Sequence, residues 1–186
     1  MERRPVGAAI GPLEGQTMED LMDALQGFLQ EKLKEYRLPV KNSKRGDVPP
    51  YRPIRVGQMV MDDPDEDDES VPHLLLQPLN GKDQRGEDGQ LGGKVSIRIV
   101  ITIFNRNKLE GRLQLMHIIQ TIRRELESVM VVGKSFELLW PFEWLIYPDD
   151  MECYHMGEIS TVWSVPTIER QVPQVGSNWM DGLNWG

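Results

Sequence analysis

Asp149, Glu152, Cys153 and His155, with Asp150 beside them, are the residues whose types and closeness could do chemistry. Carboxylates, a thiol and an imidazole together form the ligand set of a hydrolytic metal centre. A thiol next to a histidine is also the start of a nucleophilic pair. The spacing carries neither reading far. Zinc sites draw on paired Cys or His motifs, but Cys153 is the single cysteine, and His73 and His117 fall in unrelated segments. On a strand, Cys153 and His155 would face one side with no third group to orient the base. A small metal-dependent hydrolase centred on these four residues is the enzymatic alternative. The leading expectation is no catalytic residue, no metal and no cofactor.

The second cluster is acidic. Asp62, Asp63, Asp65, Glu66, Asp67, Asp68 and Glu69 lie within residues 62–70. Read as a calcium loop from Asp63, the run supplies Asp65 and Asp67 at the right places. It then puts Asp68 where the loop needs Gly and Leu74 where it needs a bidentate Glu. Mutual repulsion predicts an extended, solvated run, suited to a surface that repels polyanions. Gly86, Gly89, Gly92 and Gly93 are too scattered for a phosphate loop, and Glu87 and Asp88 would repel phosphate. Trp179 and Trp185 stand in a polar terminus containing Gly and Asn, where they cannot bury themselves locally. Their apolar area favours a pocket on a neighbour or partner. A host adaptor that binds through them is a further reading.

The elements that would position these groups follow from periodicity. Val95, Ile97, Ile99, Ile101 and Ile103 alternate along one strand face. Arg98, Val100, Thr102 and Phe104 lie on the other, which is too apolar to be fully wet. That face is expected to pack against a neighbouring subunit or the chain's own loops. After a turn at 105–108, Leu115, Ile118, Ile119, Ile122, Leu126 and Val129 form a helical stripe. Thr17 caps an earlier helix, whose stripe from Met18 to Leu33 ends before Pro39. Residues 41–53 read as a loop, 53–60 as a strand, and 73–79 as a short strand limited by Pro72 and Pro78. Residues 80–93 read as a mobile Gly-rich loop. Residues 135–147 read as one strand bent at Pro141, and 154–165 as the last strand.

This order predicts an α+β domain over residues 17–166. Its sheet is mostly antiparallel, of about four to five strands, with two helices on one face and long loops. Residues 1–16 are expected to be flexible and 167–186 to be an interaction tail. A net charge of −8 argues against a role wrapping nucleic acid. The single cysteine excludes an internal disulfide framework and fits a reducing compartment. No secretory signal or membrane span is read.

The runs VPHLLLQPLNG, VSIRIVITIFNRN, EGRLQLMHIIQTIRREL, FELLWPFEW and YHMGEISTVWSVP, in that order, resemble the tail-terminator (tail-completion) proteins of long-tailed bacteriophages. Gly111 at the helix start, Pro141 at a strand end, and Trp163 and Pro166 at the close of the last strand occupy the places of that pattern. The resemblance implies a structural virion protein, made in the host cytoplasm, that assembles into a ring, typically a homohexamer. The ring caps the tail tube and joins it to the head connector, with DNA passing through its lumen without tight binding. The acidic run 62–70 is then a candidate for the lumen or rim. Arg98, Val100, Thr102, Phe104, Trp179 and Trp185 are candidate subunit or partner contacts. Another neck, connector or tail-tube component is the alternative within this class.

Overall fold

The computed structural model describes residues 17–41, 51–59, 71–85, 91–148 and 153–166. In chain order these form α1 (Met18–Leu33), β1 (Arg37–Pro39), β2 (Tyr51–Pro53), β3 (Arg55–Gln58), β4 (His73–Arg85) and β5 (Leu91–Phe104). Then come α2 (Lys108–Val129), β6 (Val131–Val132), β7 (Phe136–Ile146) and β8 (Tyr154–Val165).

The first helix starts at the cap expected for it, and the second starts at Lys108, within the turn expected over 105–108. Thr17 Oγ1 accepts from the backbone N–H of Asp20, while the Asp20 carboxylate accepts from the Thr17 N–H, closing a capping box. Asn107 caps α2 through its side-chain oxygen on the Glu110 N–H. α2 ends at Met130, which takes a left-handed conformation and donates to the Leu126 carbonyl.

The sheet has six strands in the order β3-β4-β5-β8-β7-β6, and β1 and β2 form a separate two-stranded ribbon. Every neighbouring pair is antiparallel except β3 and β4. The fold is therefore α+β, with more strands than the four to five expected. Val95, Ile97, Ile99, Ile101 and Ile103 are buried in one core cluster with Leu21, Leu25 and Leu29 of α1 and Leu115, Ile119 and Ile122 of α2. Both helices thus cover the same sheet face. Each such side chain contributes about 1.5–3 kcal/mol when fully buried.

Three sequence expectations need correction. Residues 80–93 are not one long loop. β4 runs on to Arg85, and β5 begins at Leu91, so Gly81 pairs with Val95 and Gln84 with Gly92. Backbone pairing holds this hairpin together although its side chains are polar, which is why periodicity did not show it. Residues 41–53 do not all form a loop, because Tyr51–Pro53 pairs with Arg37–Pro39. Val129 lies on the helical stripe by spacing but is exposed, since it sits in the last turn of α2. The bend at Pro141 is real. The register of β7 against β8 shifts between Leu139 and Glu143, and the Trp140–Pro141 bond is cis.

Candidate interaction surfaces

His155 is where the structure answers the question of chemistry. It opens β8 on the core side and is buried. Its Nε2 donates to the Asn105 carbonyl at 3.1 Å. Its ring lies against Gly111 in the first turn of α2, so closely that a β-carbon on Gly111 would fall on the imidazole. The Asn105 N–H in turn donates to the Cys153 carbonyl at 2.9 Å. His155 therefore ties the β5–α2 turn, the helix start and the start of β8 together. Cys153 does not continue the strand: it has a φ of 75°, in a turn before β8. Among the described residues, no three His, Cys, Asp or Glu side chains converge to hold a metal ion. Asp149, Asp150 and Glu152 lie outside the described residues. His117 is on the exposed side of α2, with Nε2 3.3 Å from the Tyr36 hydroxyl.

The second face of the central strand divides into two parts. Thr102 and Phe104 are buried within the chain. Phe104 meets Tyr154 edge-on, with ring centroids 5.4 Å apart, and the Lys41 ammonium lies over the Tyr154 ring. Arg98 and Val100 are half-buried. Arg98 donates through Nε and Nη2 to Gln77 Oε1 at 3.1 and 2.6 Å, and its Nη1 lies 3.9 Å from Glu158 Oε2. The Tyr147 hydroxyl donates to that same carboxylate oxygen at 2.7 Å. The bond to Glu158, reinforced by burial, pushes the Tyr147 phenol above its ordinary pKa. This polar row crosses β4, β5 and β8 and holds the outer face in shape. It is a structural network, with a carboxylate already engaged by two partners.

The two edges of the sheet are treated differently. On β3, Val56 donates its N–H to Gln30 Oε1, and Gln26 Nε2 donates to the Val56 carbonyl. Gln30 Nε2 also donates to the Ile54 carbonyl, and Gln58 Nε2 donates to Asp23 and Gln26. Side chains of α1 thus cap β3 and close that edge to another strand. At the other end, β6 covers only Phe136 and Glu137 of β7, and the Met130 carbonyl accepts from the Leu138 N–H. Beyond that point no described strand lies outside β7. This uncovered stretch carries Trp140 at 63% exposure, Trp144 at 45% and Leu145 at 48%. Exposed aromatic side chains beside a strand edge that no described strand covers are the features suited to contact with another chain. The sequence reading saw β7 as apolar and aromatic but missed that its edge is open. Only the shortness of β6 reveals this.

The acidic run 62–70 and the residues Trp179 and Trp185 lie outside the described residues.

No family model matches this chain, and no curated protein does. Among solved structures, a chain from a structure titled "Virion of native gene transfer agent (GTA) particle" aligns over 78% of this chain and 92% of that chain. The identity is 10% and the TM-score 0.39, a likeness that carries no statement about function.

Proposed function

We propose that this protein is a structural subunit of a phage-like virion, and within it a ring-forming tail terminator. The open β7 edge with Trp140, Trp144 and Leu145 carries the proposal, because a strand edge of this kind calls for another polypeptide. The order of elements in the sequence, which resembles the tail-terminator pattern, supplies the class. His155 is engaged in packing, which weakens the enzymatic alternative that used it as a base. In this reading the subunit closes into a ring, caps the finished tube and meets the head connector.

The acidic run 62–70 is proposed to line the lumen or rim, where like charge lets DNA slide past. Particles carrying Asp→Asn and Glu→Gln changes through the run are expected to eject DNA more slowly; unchanged ejection removes that role. The function itself is tested by gold-labelled antibody on intact particles made by cells that carry the gene. Label at the head–tail junction is expected. Label along the tail favours a tube component, and particles without label overturn the virion reading.

A further inference from the structure

β7 is not the only strand left uncovered. β3 pairs with β4 only from His73 to Leu76, so no described strand lies outside residues 79–84. These residues are exposed, Leu79 at 53%. Among the described residues, one chain therefore carries two strand segments with no strand outside them, 79–84 and 141–146, on opposite sides of its sheet. β4, β5, β8 and β7 are successively antiparallel, so β4 and β7 run in opposite directions. A neighbour related by rotation about an axis along the strands keeps their directions. Its β4 would then meet β7 antiparallel. The contact is heterologous, with different surfaces on the two copies, and such contacts close into rings when the rotation permits.

We propose that β7 of one copy pairs with β4 of the next, with Lys82 opposite Glu143. This deepens the ring reading above and rests on its self-association. The side chains select this register. Lys82 pairs with Lys94 and Glu143 with Ser160, which places both on the outer face, where opposite charges attract. Gly81 then stands opposite Trp144. Both lie on the helix face, because Gly81 pairs with Val95 and Trp144 with Ile159. The indole covers bare glycine backbone at the seam. A one-residue slip would set Lys82 against Trp144 or Phe142 and turn matching faces away from each other.

The same register clears both existing caps. The β3-covered part of β4 falls past the end of β7, and the β6-covered part of β7 falls past the end of β4. The pairing is staggered: within one chain Lys82 is level with Ser164 of β8, whereas Glu143 is level with Ser160. That offset of about four residues, on the order of 13 Å, is of the kind needed when tilted strands close a continuous sheet.

The test uses Lys82→Cys with Glu143→Cys in a Cys153→Ser background. Oxidation is expected to give a ladder of covalent multimers on a denaturing gel, and each single-cysteine variant is expected to stay monomeric there. A dimer from Glu143→Cys alone would mean that β7 pairs with β7, and overturns the proposal. Charge exchange checks it without cysteines. Lys82→Glu or Glu143→Lys alone should weaken assembly by about twofold to fivefold per contact, and the two together should restore it. Intact assembly with no Lys82–Glu143 coupling and no ladder overturns this seam and leaves the ring reading standing. A wild-type chain that stays monomeric at every concentration overturns both.

Discussion

Single residues carry the clearest consequences of this fold. Gly111→Ala gains roughly 1 kcal/mol of helix propensity. It also drives a methyl group into the His155 ring, an overpacking cost of about 1–3 kcal/mol. Since His155 is buried and bonded to Asn105, it has little room to yield. The upper half of that cost therefore applies, about 2–3 kcal/mol, and a net loss of about 1–2 kcal/mol is expected in urea unfolding. A variant as stable as the parent would mean that the ring moves freely. Tyr147 gives a pH signature. Its folded pKa is raised above the ordinary 10.0 by its bond to Glu158. The stabilisation is fully present below pH 10.0 and is lost as pH rises through the folded value, because the unfolded phenol ionises first. Tyr147→Phe should therefore flatten the alkaline decline in melting temperature; a decline equal to the parent's would assign it to other groups. His155 also shows what a sequence cannot state. Its closeness to Cys153 suggested chemistry, yet its partners, Asn105 and Gly111, come from elements far back in the chain.

At the scale of elements, β5 and α2 were legible because their apolar residues repeat with the strand and helix periods. Thr17 and Asn107 mark helix starts by their own chemistry. β8 was legible for the same reason as β5. Its Trp163 is fully buried, with Nε1 donating to Thr161 Oγ1 and that hydroxyl donating to the Ile97 carbonyl. Trp163→Ala should cost about 3–5 kcal/mol, measured by chemical unfolding. A loss under about 1 kcal/mol would mean that the core collapses around the gap. The outer half of the β4–β5 hairpin was not legible. Its polar and glycine residues have no apolar face to give a period, and cross-strand pairing alone makes it a strand. β1 and β2 were hidden by prolines at the ends of very short strands. The open edge of β7 depends on what its neighbours fail to cover, which no local pattern records.

The whole molecule joins a well-buried core to an unfinished perimeter. Helix α1 caps β3 with glutamine side chains, while no described strand lies outside β7 beyond its first residues or outside the outer part of β4. Strand edges of this kind are a hazard for a lone subunit and a resource for an assembling one. Trp144→Glu should prevent assembly while leaving the monomer folded, because nearly half of that side chain already meets solvent. Circular dichroism and size-exclusion chromatography would check both halves of that expectation. Native mass spectrometry of the purified protein tests self-association into a closed ring most directly. The expected result is one assembly whose mass is a fixed multiple of the 21.4 kDa chain, unchanged as concentration rises. A monomer throughout, or a ladder of masses that lengthens without limit, would contradict it.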